Sequence, residues 1–308
     1  MGTLKLEAGR TAVITGAGSG FGLELARLAA QRGMNVVLAD VQEDALQQAA
    51  TELLELGVGV LACRTDVSRA ADVQVLAAAC EERFGTPHLL INNAGVAHGG
   101  LIWEHSERDW EWVLGVNLWG VIHGVRTFTP LMLEAARQDP SWQGHVVNVA
   151  SMAGLLNSPN LGAYNVSKHA VVSLSETLYQ DLALVSEQVH ASVLCPYYVP
   201  TGIHLSHRNR PQDLRSEGKP TPSQMIAHAM STKAVTSGKL TAADTARLVF
   251  EAVESGRFYI YTHPKALGMV QQRLDDVVQG RNPSSPFAEK PEIGEALKQG
   301  LRGGTERL

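Results

Sequence analysis

The chain has 308 residues, 44% of them hydrophobic, and 26 Lys and Arg against 31 Asp and Glu give a formal net charge of −5. That is enough for one large α/β domain or two small ones with a substantial core, and the acidic balance without any basic block argues against nucleic acid as a partner. No apolar run reaches membrane-spanning length, and the Met1–Glu7 stretch has neither a signal-peptide core nor a myristoylation pattern, so no membrane partner is expected.

Arg10 to Thr15 reads as a first strand, followed by the loop Gly16-Ala17-Gly18-Ser19-Gly20-Phe21-Gly22 and a helix whose apolar face is closed by Gly33. Asn35–Ala39 is a second strand ending at Asp40. Helix 45–56, strand 58–64 and helix 70–84 follow, then a strand over His88–Ile91 ending in Asn92-Asn93-Ala94-Gly95. A helical pattern runs from Glu107 to Arg137, with Pro130 as a candidate kink. Then come a strand at His145–Ala150, a helix over Tyr164–Ser186, a strand over Val189–Cys195, a helix over Ala242–Ser255 and a last strand, Phe258–Tyr261. The strands are apolar runs rather than alternating ones, so they are buried on both faces. With the βαβα order this predicts an α/β fold, a doubly wound parallel sheet with helices on each side.

Two segments break this rhythm. Residues 202–236 are polar and carry Arg208, Arg210, Arg215, Lys219 and three prolines; they stand where a mobile lid would stand. The lid arginines read as solvated surface, with an anionic substrate as the alternative. Residues 281–308, rich in Gly, Pro, Ser and charge, read as a disordered tail. Cys63, Cys80 and Cys195 are few and scattered, which suits a reducing cytoplasm. The closest histidine pair, His204 and His207, has no third ligand in its loop, so no metal is expected.

The chemistry concentrates between Asn148 and Lys168. A strand stops at Ser151, a Gly/Asn/Ser/Pro loop follows, and Tyr164 and Lys168 stand four apart on a helix, which places them on one face. A tyrosine near pKa ~10 is a poor base at neutral pH. A fixed ammonium beside it favours the phenolate, so the pair can exchange a proton with an alcohol or carbonyl oxygen, which Ser151 can also hydrogen-bond. Alone, such a pair is as readily a chance feature of a helix.

The loop Thr15-Gly16-x-x-x-Gly20-x-Gly22 joins a strand to a helix N-terminus, where small residues such as Gly18 and Ser19 let backbone approach a pyrophosphate. Phe21 stands where a G-x-G-x-x-G motif has its third glycine. Asp40 can accept hydrogen bonds from an adenosine ribose and would repel a 2′-phosphate, with no Arg or Lys nearby and Val41 following; this points to NAD rather than NADP. Asp40 can equally cap the next helix. Asp66, before Val67, suits either an adenine amine or a helix cap, and Asn92–Gly95 suits a plain turn or a cofactor floor.

Together, Thr15-Gly16-x-x-x-Gly20-x-Gly22, Asn92-Asn93-Ala94-Gly95, Asn117, Ser151 and Tyr164-x-x-x-Lys168 resemble the short-chain dehydrogenase/reductase family, in order and spacing, over roughly residues 8 to 262. The resemblance implies a single-domain Rossmann sheet of about seven parallel strands, with the lid at 202–236 and a C-terminal extension at 263–308. It implies Tyr164 as acid/base, Lys168 holding the nicotinamide ribose and depressing the phenol pKa, Ser151 orienting the substrate oxygen, and Asn117 anchoring a water that relays protons to Lys168. Asn93, Ala94 and Gly95 would floor the cofactor, and Pro196, Val199 and Thr201 would contact the carboxamide. Tyr197 departs from the family, which usually has glycine after that proline.

By the same resemblance, Val96, His98, Ala153, Leu155, Tyr197 and Tyr198 would line the substrate pocket, whose character suits a hydrophobic, aryl-substituted secondary alcohol or ketone. The overall pattern is similar to bacterial dehydrogenases of aromatic alcohols. The expected activity is an NAD-dependent alcohol dehydrogenase or ketone reductase. The alternatives are an NADP-dependent carbonyl reductase, a lyase or epimerase on the same scaffold, and a catalytically silent nucleotide-binding regulator. The two long helices imply a homodimer or homotetramer.

Overall fold

The computed structural model describes residues 3–215 and 218–305, so residues 1–2, residues 216–217 of the expected lid and residues 306–308 of the expected tail lie outside the described residues. Strands β1 (Thr11–Thr15), β2 (Asn35–Asp40), β3 (Val60–Arg64), β4 (Leu89–Asn92), β5 (Gly144–Val149), β6 (Val189–Cys195) and β7 (Tyr259–Tyr261) form one sheet in the order β3-β2-β1-β4-β5-β6-β7. Every neighbouring pair is parallel. The chain runs outward from β1 to β3, then returns to lay β4 against β1. The crevice at their carboxyl ends is a topological switch point, where ligands bind in open α/β sheets.

Among the described residues ten α-helices cross between strands or follow them: α1 (Gly20–Gln31), α2 (Glu43–Leu54), α3 (Ala70–Phe84), α4 (Glu107–Leu114), α5 (Gly120–Gln138), α6 (Gly162–Val185), α7 (Pro222–Thr236), α8 (Ala242–Glu254), α9 (Leu267–Val278) and α10 (Pro291–Thr305). The apolar strand runs feed two cores. On one face Ile14 and Leu38 meet Leu25 of α1, Leu46 of α2 and Phe250 of α8; on the other Val13 and Leu90 meet Leu76 of α3, Phe128 of α5 and Leu182 of α6. Each fully buried Leu or Phe contributes roughly 1.5–3 kcal/mol by leaving water. A buried polar chain ties the second core together: Asn92 Nδ2 donates to Asn148 Oδ1 at 2.9 Å, and Asn148 Nδ2 to Ser175 Oγ at 3.0 Å.

Three expectations change. The helical run over 107–137 is continuous but not all α: a π-helical turn, Gly115–Trp119, joins α4 to α5, while Pro130 sits inside α5. A π turn admits one extra residue, which apolar spacing does not reveal. Residues 202–236 are not a bare loop; they contain 3₁₀ turns at Gly202–Asn209 and Gln212–Leu214 and the helix α7, started by a capping box between Thr221 and Gln224. The tail is not disordered throughout, since α10 packs on α7 with Leu297 buried and Ile226 against Gly300. Its composition hid one apolar stripe that needs only a neighbouring helix. Among the described residues no helix is long and apolar enough to cross a membrane.

Candidate active site

The floor of the site is where β1 and β4 end side by side. Thr15 Oγ1 accepts from Asn93 N at 2.9 Å and Ala94 N at 3.0 Å, and Asn93 Nδ2 donates to Thr15 O at 2.8 Å and Gly16 O at 3.2 Å. This lacing draws the glycine loop down onto the Asn93–Gly95 turn. A Cβ at Gly22 would stand 2.1 Å from Gly16 O, and one at Gly16 would meet Ala94 Cα at 2.9 Å. Only glycine lets the loop turn this tightly into the N-terminus of α1. Asp40, at the end of β2, is 7% exposed; its Oδ2 accepts from Gly18 N and its Oδ1 from Gln42 N, both at 2.9 Å. The carboxylate therefore steadies the glycine loop as well as the next turn, and the residue that caps α2 is Gln42 rather than Asp40. Asp66 Oδ1 accepts from Ser68 N and Ser68 Oγ, a local turn bond, and the cap of α3 is Arg69.

A cleft of about 600 Å³ opens over this floor, inside the range of about 300–1,000 Å³ typical of small-molecule and cofactor sites. Asp40, Val41, Asp66 and Val67 bound one end, Ser19, Gly20 and Phe21 the middle, and Tyr164, Lys168, Pro196 and Thr201 the other. The residues fit a dinucleotide. The α1 N-terminus favours a diphosphate, the Cβ-free glycines let it approach the backbone, and a nearly buried carboxylate stands ready for ribose hydroxyls at the β2 end.

At the far end, Ser151 leaves β5 in extended conformation, its Oγ accepting from Ala153 N at 3.1 Å and facing Pro196 O at 3.4 Å. Tyr164 is hydrogen-bonded to Ser151, and Lys168 Nζ lies 5.8 Å from the centre of the Tyr164 ring. Lys168 is 3% exposed and donates to Val149 O at 2.9 Å. Burial pushes this ammonium down from 10.5 to about 8. The phenol of Tyr164 departs from the expected direction: burial raises it, and the Ser151 hydrogen bond only partly opposes that. Burial disfavours charge on both neighbours here, and the spacing alone does not reveal that cost.

Asn117 sits fully buried on the π turn. Its Oδ1 accepts from Val96 N at 2.8 Å, and its Nδ2 donates to Val96 O at 3.0 Å and Ser167 Oγ at 3.1 Å. Its side-chain bonds thus clasp the Val96 backbone, beside Gly95. Of the six residues expected to line the substrate end, Val96 borders the cleft. Leu155 and Tyr197 pack against the buried cluster of Val121, Met152 and Val171, and Tyr197 stacks on Tyr198 with ring centres 4.2 Å apart. Val199 is buried, 3% exposed. The cleft instead recruits Trp112, Leu114 and Val116 from the α4–π-turn region and Ile203 and Leu214 from the 202–236 segment. The apolar residues of 107–116 were visible in sequence, but not which face turns inward.

His98 belongs elsewhere. Its Nε2 lies 3.2 Å from Asp109 Oδ1, beside His105, and the ligand atoms of these three lie within 4.8 Å of one another. They are scattered over twelve positions of a loop and a helix start, so sequence spacing gives no signal. Arg210 Nη1 takes the same Asp109 oxygen at 2.6 Å, with its guanidinium 5.0 Å over Trp112, and Ser106 N and Oγ take Oδ2 at 2.8 Å each. The carboxylate is thereby engaged by a buried cation and a helix cap. Burial alone would raise it, yet the His98 and Ser106 hydrogen bonds hold it far below the usual carboxylate range.

Comparisons with known proteins agree with this geometry. Residues 10–212 match the family model described as short chain dehydrogenase. The chain is similar to the CLA biosynthesis dehydrogenase/reductase of Lactiplantibacillus plantarum, 34% identical over 270 residues, covering 86% of this chain and 92% of that one. It is also similar to the 1-deoxy-11-beta-hydroxypentalenate dehydrogenase of Streptomyces exfoliatus, 33% identical over 87% of this chain and 88% of that one. Among solved structures it resembles a short chain dehydrogenase/reductase from Burkholderia phymatum in complex with NAD, at 52% identity and a TM-score of 0.89, covering 92% of this chain and all (100%) of that one. With the seven-stranded sheet and the switch-point cleft already in hand, these matches establish that the chain belongs to the short-chain dehydrogenase family and is an oxidoreductase of that type.

Proposed function

We propose that this oxidoreductase moves a hydride between NAD(H) and a hydrophobic secondary alcohol or its ketone. The observation that carries the reading is the meeting of Ser151, Tyr164 and Lys168 at one end of a cleft whose other end is bounded by Asp40. When bound, the nicotinamide gives or takes the hydride at the substrate carbon. In the reducing direction Tyr164, protonated at rest because burial raises its pKa, gives its proton to the carbonyl oxygen while Ser151 Oγ hydrogen-bonds that oxygen. In the oxidising direction Tyr164 first releases its proton to solvent through the cleft, and the phenolate, favoured by the Lys168 ammonium, then takes the alcohol proton. Lys168 also holds the nicotinamide ribose, and Asn117 keeps the Gly95–Val96 backbone in place beside it.

The buried Asp40 carboxylate, with no Lys or Arg among the described residues bounding that end of the cleft, supports NAD over NADP, as does the Burkholderia protein's complex with NAD. Val96, Trp112, Val116 and Leu214, packed together, support an apolar substrate. The 202–236 segment acts as the lid over it. Exposed Trp119, Val166 and Leu184, on or beside α5 and α6, support a homodimer or homotetramer, and the three free cysteines a cytoplasmic setting. A monomer mass from solution scattering would remove the oligomer from this reading.

The test is Tyr164→Phe. NADH consumption with a panel of ketones should fall by about 1,000-fold, while NADH binding measured by fluorescence stays intact and NADPH serves the wild type poorly. Turnover retained in the variant rejects the assignment.

A further inference from the structure

The 3₁₀ turn after β6 is held on both sides. Thr201 Oγ1 caps it by accepting from Ile203 N, and the buried Ser206 accepts from Ala97 N at 3.0 Å. Arg210, just beyond, is locked to Asp109. Between these fastenings stands Arg208. It is exposed, it borders the cleft, and its side chain makes no hydrogen bond or ion pair among the described residues. One guanidinium nitrogen, Nη2, lies 3.4 Å from where a Cβ on Gly202 would be, and a Cβ on Gly20 would stand 3.4 Å from Thr201 Cβ. Arg208 thus lies against Gly202, next in the chain to the Thr201 that packs on the glycine loop.

The charges around the cleft make this placement informative. Among the described residues that border it, the only Lys or Arg side chains are Lys168 and Arg208, against the carboxylates of Asp40, Asp66 and Glu111. Lys168 belongs to the Tyr164 end, and Asp40 and Asp66 to the β2 and β3 ends. A ligand carrying a diphosphate at the middle would meet the α1 N-terminus from below. The one side-chain cation available from above is Arg208, whose planar fork suits phosphate oxygens.

We propose that Arg208 binds the cofactor diphosphate and that this contact draws the 202–236 lid onto the bound dinucleotide, with the Arg210–Asp109 pair as the fixed root of the movement. The inference rests on the reading of the cleft as a dinucleotide site. Arg208 is a cofactor-binding residue in it and Arg210 a positioning residue. No bond is made or broken; the energy comes from one charge-assisted contact, so cofactor affinity and lid order rise together.

The experiment compares wild type, Arg208→Gln and Arg208→Lys by fluorescence titration with NADH, by calorimetry with ADP-ribose, and by competition with adenosine, which has no diphosphate. Arg208→Gln should weaken NADH and ADP-ribose about tenfold and leave adenosine unchanged, with Arg208→Lys in between. Added salt should narrow the gap between wild type and Arg208→Gln. Tryptic cleavage after Arg215 should slow when NADH binds the wild type and not when it binds Arg208→Gln. Equal dissociation constants and equal protection in wild type and Arg208→Gln would overturn the proposal while leaving the cleft a dinucleotide site. So would unchanged NADH binding with a raised KM confined to carboxylate-bearing ketones, which would make Arg208 a substrate residue. If the wild type binds neither NADH nor ADP-ribose, the reading of the cleft falls and this inference with it.

Discussion

The floor and the cover of the cleft are built in opposite ways. The floor is glycine backbone packed on backbone: Asn93 N and Ala94 N donate to Thr15 Oγ1, Gly18 N donates to Asp40 Oδ2, and the contacts of Gly16 and Gly22 leave no room for a Cβ. The cover, residues 202–236, is fastened by side chains. Ser206 accepts from Ala97 N, Arg210 pairs with Asp109, and Thr221 and Ser223 both donate to Glu104 Oε2 at 2.6 Å. Asn160, in the left-handed region with φ 64°, donates to Ser223 O at 2.9 Å. Backbone packed on backbone cannot be loosened by degrees, whereas side-chain fastenings can be removed one at a time. A floor that fails should lose its ligand altogether, and a cover that fails should lose only its grip.

The largest effect expected from this contrast is at Gly22. In Gly22→Ala the new methyl meets Gly16 O at 2.1 Å and Asn93 Nδ2 at 2.7 Å, and the first of these is backbone that cannot swing aside. Relief requires the loop to open, at a cost of roughly 1–3 kcal/mol, which is about 5- to 150-fold in nucleotide affinity. NADH titration of a folded variant measures it. An unchanged dissociation constant would mean that the turn is softer than its contacts imply.

A smaller effect on nucleotide affinity, and a more selective one, is expected at Arg210, which is 8% exposed. Arg210→Met takes the buried guanidinium away from the Asp109 carboxylate, and removing one partner of a buried pair typically costs about 3–5 kcal/mol. Because the pair joins the cover to α4 and not the floor to anything, the loss should appear as faster proteolysis of 202–236 and a higher KM for ketone, with NADH affinity falling by less than in Gly22→Ala. Arg210→Lys should recover part of it. The Asp109 carboxyl is held low in the fold, so its contribution is present above about pH 4 and fades as pH falls below that, in wild type and variant alike. A KM for ketone that does not move would detach the pair from the cover.

The same division decides what the sequence discloses. Thr15, Gly16, Gly22, Asn93 and Asp40 serve through backbone turns and strand ends, and such features leave fixed spacings. Ser151 and Tyr164 are likewise fixed by a strand end and a helix start, so their meeting could be foreseen. His98, Asp109 and Arg210 come together from a loop, a helix cap and a 3₁₀ turn over a hundred residues on, and nothing in their spacing anticipates it. The helix α10 was hidden for a related reason: its stability lies in packing on α7, not in its own composition. The direction of the Tyr164 shift was missed because i, i+4 spacing shows the neighbouring charge and not the burial that outweighs it.

The smallest effect concerns what the floor pays to hold Lys168. Its folded pKa of about 8 lies below the ordinary 10.5, so folding disfavours the charged form. At neutral pH both folded and unfolded chains carry the proton, and the full burial cost is present. Between about pH 8 and 10.5 the unfolded chain holds more protons than the folded one, so wild-type stability rises with pH across that window. Lys168→Met keeps the length and apolar stem, removes the charge, and leaves Val149 O without its 2.9 Å donor. The shift corresponds to about 3 kcal/mol and the lost hydrogen bond to about 1 kcal/mol, so the variant should be more stable by about 2 kcal/mol at pH 7. Urea titrations at pH 7 and pH 9.5 should show that advantage shrinking as the wild-type amine becomes neutral. The variant should also be inactive. A less stable variant at pH 7, or a difference indifferent to pH, would mean that Lys168 is held by the fold for its own sake. A stabilised, inactive protein would mean that the buried ammonium is kept against the preference of the fold, which is the physical mark of a residue retained for chemistry.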